Sequence, residues 1–216
     1  MGRIVTVASS KGGVGKSVIT TILSGNLAAL SYRVAVIDAD PNASYSQWHR
    51  LYEGPPIDCS CEVRHEEIVD RAQALATSHD VVLIDTAGFG NTTAAFAAGT
   101  ADLVLVPVMP DRASAVEAMR TARQIQAFGK ASRRQIPFRI VRTRWNHRGL
   151  VERAVEADLS DLPMMNQHLS DLSEFGKLTL SGRVPVTGRV GDQAKELIGE
   201  MKKLGAVPSK RMKVAA

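Results

Sequence analysis

Apolar residues along this chain come in short, nearly unbroken runs: "RIVTVA", "RVAVID", "DVVLIDT", "LVLVPV" and "FRIVRTR". Runs of this kind, rich in Val and Ile, predict strands buried on both faces, and the stretches between them carry apolar residues at helical spacing. A weaker strand is predicted near "LPMMNQHL". Strands alternating with helices imply an α/β fold, a mostly parallel twisted sheet flanked by helices on both faces. One helix is predicted from about Ala113 to Phe128, with Val116, Met119 and Ile125 toward the core, Arg120 and Arg123 outside, and Gly129 as its stop. Ligands of such sheets bind beyond the carboxyl ends of the strands, so chemistry is expected there.

The first run leads into "SSKGGVGKSVIT", residues 9–20, and then into a helical pattern. Gly12, Gly13 and Gly15 permit a turn whose successive N–H groups point into one concavity at a helix N-terminus, a shape that suits phosphate. With Val14 and Val18 beside it, Lys16 would reach the β- and γ-phosphates and Ser17 would ligate Mg2+, as in the P-loop pattern G-x-x-x-x-G-K-[ST]. Ser10 stands where that pattern has glycine, so the loop is a deviant form, and it holds a second lysine, Lys11, that the pattern does not need. Two other strands run into carboxylates. "DADPNAS" places Asp38 and Asp40 on one side of an extended chain, and "DTAGFG" places Asp85 where it would orient the water shell of Mg2+. Gly88 and Gly90 then permit a mobile loop.

The 216 residues, 44% hydrophobic, suffice for one core, and no Pro/Ser-rich linker divides them. A single domain over 1–216 is expected, with a flexible basic tail from about residue 205. The apolar runs are far shorter than the roughly 20 residues that cross a bilayer, and the start lacks the regions of a signal peptide, so a cytoplasmic address is expected. Cys59 and Cys61 are too close for an ordinary disulfide and too few for a four-ligand metal site; reduced thiols are expected, with a Cys/Cys/His zinc site using the nearby His65 or His49 as the alternative. The net charge of +5 is unevenly spread: Arg112 to Arg153 holds eleven Lys/Arg against two acids. Arg139, Arg142, Arg144 and Arg148, with Lys202 and Lys203, are candidate contacts to the phosphates of DNA, and Lys210, Arg211 and Lys213 extend the basic end.

"KGGVGKS", "DADP", "DTAG" and "ADLVLVPVMP", in that order, resemble the deviant Walker A ATPases of the ParA/MinD family, and the compact size is similar to the short ParF-type partition ATPases, with the T-DNA transfer-enhancer ATPases as close relatives. The resemblance implies ATP/ADP and Mg2+ as ligands and two ATP molecules sandwiched in an ATP-dependent homodimer. Lys11 would cross to the partner subunit's phosphates. Lys16 would act in cis, Ser17 would hold Mg2+ directly, Asp38 and Asp85 would hold its water shell, and Asp40 would orient the attacking water. Thr143 and Arg144 in "VRTRWNHRG" and Pro185 in "LSGRVPV" look like the family's nucleoside-side segments. Slow hydrolysis, nonspecific DNA binding, nucleoid association in the ATP state and a centromere-binding adaptor that stimulates hydrolysis are what the family implies. A MinD-like membrane-positioning ATPase and a metabolic ATP-dependent synthetase stand as alternatives on the same scaffold; the tail, with its proline and small residues, makes a poor insertion helix. Asn42 after "DADP" and Asp111 with Arg112 after "VPVMP" depart from the family's commoner residues.

Overall fold

The computed structural model describes residues 1–88 and 90–209. In chain order the elements are β1 (Arg3–Val7), α1 (Lys16–Ala29), β2 (Val34–Ala39), α2 (Ser44–His49), β3 (Ile57–Cys61), α3 (His65–Ser78), β4 (Val81–Thr86) and α4 (Thr92–Thr100). They continue with β5 (Leu103–Val108), α5 (Arg112–Ala131), β6 (Phe138–Trp145), α6 (Leu150–Asp158), β7 (Met164–Ser170), α7 (Ser173–Ser181) and α8 (Gly188–Lys203). The strands form one sheet in the order β3-β2-β4-β1-β5-β6-β7. Every pairing between them is parallel.

Each central strand is buried on both faces, which is why it reads as a continuous apolar run. Alternate residues serve opposite layers. Ile4, Ile37, Ile84, Val104 and Val106 meet alanines of α3, α4 and α5. Val5, Val36, Leu83 and Leu105 meet Ile19, Leu23 and Leu27 of α1 and Leu197 and Ile198 of α8. The weak strand near residue 164 forms, at one edge. The opposite edge, β3, carried no apolar run to announce it: of "IDCSC" only Ile57 is buried, because an edge strand packs on few neighbours. Cys59 and Cys61 lie there, and their sulfurs are 3.6 and 3.1 Å from the Ser46 hydroxyl.

Several expectations are corrected. Helix α5 starts at Arg112, capped by Asp111, and runs past Gly129 to Ala131. Gly129 is no stop; a Cβ there would come within 2.7 Å of the Arg134 carbonyl, so the glycine admits the returning chain. Ile125 is buried and Met119 packs partly against the core, but Val116 is 48% exposed. The tail expected from residue 205 is packed at its start: Ala206 and Val207 are buried, and the Pro208 carbonyl accepts from the Tyr32 hydroxyl at 2.9 Å. Lys210, Arg211 and Lys213 lie outside the described residues.

Arg142, expected at DNA, is turned inward. Its guanidinium pairs with Glu156 and donates to the Met165 and Asn166 carbonyls at 3.1 and 2.7 Å. Its side chain is 11% exposed and lies 5.9 Å from the centroid of the Trp145 ring. It therefore fastens β6 to α6 and β7. Arg142→Ala should lower stability by about 1–3 kcal/mol, because Glu156 and two carbonyls lose their partner. Urea unfolding of the purified variant measures this, and an unchanged midpoint would contradict it.

Candidate functional site

The phosphate loop follows β1 at the middle of the sheet. Gly13 and Gly15 hold φ of 75° and 93°, a left-handed geometry that an L side chain rarely adopts; Gly13 faces open space, and a Cβ at Gly15 would stand 3.9 Å from the Thr143 methyl. Gly12 and Gly13 are exposed and Val14 is buried, so the loop's backbone faces outward while its valine anchors it. Thr143 fixes the far side: its hydroxyl sits 3.0 Å from the Val14 carbonyl and 3.1 Å from that of Val108, joining loop, β5 and β6. Ser10, the residue that breaks the usual loop pattern, has a structural use. Its N–H donates to Thr121 Oγ1 at 3.1 Å and its hydroxyl to Gln124 Oε1 at 3.2 Å, tying the loop's start to α5.

The two lysines point to different places. Lys16 is buried, its ammonium curled back to the Lys11 carbonyl at 3.2 Å. Burial lowers its pKa, while Asp85 and Asp40 oppose that shift. Lys11 instead reaches Asp111 Oδ1, 2.7 Å away at the N-terminus of α5.

Parallel register assembles the carboxylates. Asp85 pairs with Val7, the last residue before the loop, and Asp38 pairs with Asp85. Both aspartates are fully buried. Asp38 accepts the N–H groups of Ser46 at 2.8 Å and Asp40 at 3.2 Å. Asp40 is half-buried and accepts the Asn42 N–H at 2.9 Å. Asp85 has weaker support: Thr20 Oγ1 stands 3.4 Å from one oxygen, and the other, Oδ2, is buried with no hydrogen-bond partner. Burial pushes the Asp85 carboxyl up to about 7, with Asp38 and Asp40 adding to the shift and the Ser17 hydroxyl and Lys16 only partly offsetting it. A buried carboxylate oxygen with no partner beside Ser17 and a lysine is what a hydrated cation would satisfy, so these residues fit Mg2+.

On the other side of the loop lies a cavity of about 630 Å3. Gly13, Gly15, Val18, Thr143 and Arg144 line it as expected, and the end of β7 with the start of α7, from Leu169 to Gly176, closes it. Asp171 and Phe175 in that wall were not foreseen. The signal was the polar turn "SDLS" after a strand, the same pattern that located the aspartates. Pro185 is not among the residues that line this cavity; its carbonyl accepts from Asn26 of α1 at 3.2 Å. Carboxylates thus stand on the β2–β4 side of the loop and the open cavity on the β6–β7 side.

Arg144 sits between this cavity and a second one of about 890 Å3, which it shares with Arg148 and Arg189. Arg148 is exposed. The expected basic footprint is nevertheless not continuous. Arg139 is the second residue of β6, and its guanidinium folds onto the Phe138 carbonyl at 2.8 Å. Helix α8 runs antiparallel to β7, with Gln193 bonded to Ser170 and Glu200 to Asn166, so Lys202 and Lys203 end at the edge opposite the phosphate loop. Lys202 there covers the Tyr32 ring, 5.3 Å from its centroid.

Comparison with known proteins agrees with this geometry. The chain is 33% identical over 141 residues to Protein ParA of Rhizobium radiobacter, covering 65% of this chain and 64% of that one. It is 28% identical over 196 residues to Protein virC1 of Rhizobium rhizogenes, covering 86% and 84%. The fold is similar to that of the septum site-determining protein MinD of Pyrococcus horikoshii OT3, solved with Mg-ADP, at a TM-score of 0.78 and 17% identity over 98% of this chain and 100% of that one. The model of the VirC1 protein family matches residues 2–198, and the chain accordingly belongs to that family.

Proposed function

We propose that the chain works as one Mg2+-dependent ATPase domain whose ATP state forms a homodimer and binds DNA without sequence preference, and that slow hydrolysis to ADP and phosphate resets it. The observation that carries this reading is the juxtaposition of the glycine loop, the two buried aspartates and Lys16 around the unpartnered Asp85 oxygen. Ser17, Asp38 and Asp85 are the residues that would hold Mg2+, whose charge would offset that of the β- and γ-phosphates. Lys16, freed from the Lys11 carbonyl, would bind the β- and γ-phosphates; loop N–H groups would hold them in place. Asp40, at the mouth of the site, would orient the attacking water. The nucleoside would occupy the cavity beside Thr143 and Arg144. Lys11 would reach phosphate on a second copy, which makes association depend on the nucleotide.

The DNA contact is assigned to Arg148 with Arg144 at the nucleotide end, since Arg142 is committed to the fold; Arg139, Lys202 and Lys203 lie at the far edge. Adaptor stimulation and nucleoid association follow from the same reading. Among the described residues no helix is long and apolar enough to cross a membrane. The apolar face of α8, with Val190, Leu197, Ile198 and Met201, is buried against the core.

Fluorescence anisotropy on a nonspecific duplex, with ATP or ADP at two salt concentrations, tests this function. Tight binding should require ATP and weaken steeply with salt. Arg148→Glu should reduce the ATP-dependent affinity about tenfold and lower the salt slope by at least about 1 with ATP binding intact; an unchanged slope would remove Arg148 from the contact.

Asp85 gives a second test. Its carboxyl holds a proton in the nucleotide-free fold up to about pH 7, whereas in the unfolded chain it loses that proton near the ordinary aspartate value of 3.8. Between those values the native state binds more protons than the unfolded one, so the Asp85 contribution to stability falls as pH rises through that window. Asp85→Asn should therefore raise the melting temperature of the nucleotide-free protein at pH 8, flatten its pH dependence between pH 4 and 7 and abolish ATP turnover. Differential scanning calorimetry across this range decides; a variant no more stable than wild type at pH 8 would contradict the burial of an uncompensated charge.

A further inference from the structure

Cys59 and Cys61 stand outside the nucleotide reading. They are two residues apart on β3, so both side chains leave the same face of the strand. The start of α2 covers that face, and its Ser46 hydroxyl lies 3.6 Å from the Cys59 sulfur and 3.1 Å from that of Cys61. Ser46 is buried and Cys59 is half-buried against the core, while Cys61 is exposed, so the pair opens to solvent at Cys61. Both thiols are free, and the strand explains why. Residues two apart in a strand are separated by about 6.6 Å, and their Cβ atoms, leaving in parallel, keep that spacing, beyond the roughly 3.5–4.5 Å that a disulfide needs. A bridging ion relaxes this demand, because two metal–sulfur bonds of about 2.3 Å each insert between the sulfurs.

Zinc does not fit this geometry. It takes three or four protein ligands, and among the described residues no group of three His, Cys, Asp or Glu side chains is placed to hold a metal. His49 Nε2 lies 3.0 Å from the Ile57 carbonyl and His65 Nε2 3.2 Å from Glu66, so the Cys/Cys/His alternative is not built. Cuprous ion is soft and is satisfied by two thiolates. We propose that Cys59 and Cys61 form a two-coordinate thiolate site for a soft monovalent metal ion of the cuprous class. Binding releases one proton from each thiol to solvent as two copper–sulfur bonds form; copper stays Cu(I), so no electron moves. Ser46 serves two sites at once. Its hydroxyl, within reach of both sulfurs, donates to a thiolate, and its N–H donates to Asp38 Oδ2 at 2.8 Å. Cys61 also pairs with Asp38 in the β2–β3 register, and the Glu62 N–H donates to the Asp38 carbonyl at 3.1 Å. Copper on β3 is therefore felt at Asp38 on the neighbouring strand. This link rests on the proposed Mg2+ role of Asp38, whereas the thiol site does not.

Anaerobic titration with Cu(I) held by bicinchoninate, a coloured cuprous chelator, tests the site. The wild-type chain should withdraw one equivalent of copper, and Cys59→Ser or Cys61→Ser should abolish the withdrawal. Cys61 is exposed, so Cys61→Ser should melt like wild type and separates loss of the site from loss of the fold. Ser46→Ala should weaken binding about 10- to 100-fold, the range for a group that orients a metal ligand. A wild-type chain that withdraws no copper, or a folded Cys61→Ser variant that withdraws as much, overturns the proposal. So does Zn2+ binding that His49→Ala or His65→Ala abolishes, since the thiols would then belong to a zinc site. The link to Asp38 is read separately, in the Mg2+ concentration that gives half-maximal ATP turnover, which copper should shift in wild type and not in Cys61→Ser. Copper bound without that shift overturns the link alone, and a chain with no ATP turnover overturns the proposed function while the thiol site stands.

Discussion

Three residues on three neighbouring strands, Val7, Asp85 and Asp38, are held in register across β1, β4 and β2. Parallel strands lie about 4.8 Å apart, so the register forces two carboxylates side by side at the sheet's end, immediately before a glycine loop. Both are buried, and the cost is concentrated on Asp85, which lacks the backbone donors that support Asp38. The two carboxylates thus leave an electrostatic imbalance at the end of the sheet. The sheet can hold such a pair because its apolar layers on both faces fix the strands independently of the site.

The sheet also separates tasks in space. The crossover from β4 to β5 passes over β1, so strands before it lie on one side of the loop and strands after it on the other. Carboxylates gather on the first side and the larger cavities on the second. This is the switch point at which α/β sheets bind ligands.

Helix α5 is the element that makes the deviant loop different. Serine in place of glycine adds a hydroxyl that α5 receives, and aspartate at the helix N-cap receives the added lysine. The two departures from common patterns, Ser10 and Asp111, therefore belong to one contact surface. Charge elsewhere is less concentrated than the chain suggests, since Arg142 is spent on Glu156 and the α8 lysines stand at the far edge.

The sequence alone determined the central strands, the order of helix and strand, the glycine loop and the three aspartates. Double-sided burial demands unbroken apolar runs, and a phosphate loop demands glycines at fixed spacing, so both leave local marks. It was silent on β3, because an edge strand needs little apolar surface, and it misplaced Val116 and Gly129, because helical spacing defines a face but not how far a neighbour covers it. Only the tertiary structure decided where each cation goes. Arg142, Arg144 and Arg148 lie within seven residues of one another, yet one is inside the fold, one between two cavities and one exposed. The same holds for Lys11 and Asp111, a hundred residues apart in sequence, and for Pro185, whose carbonyl meets Asn26 of α1. Charge and residue type are local properties, whereas a partner is supplied by whichever distant strand or helix the packing brings alongside.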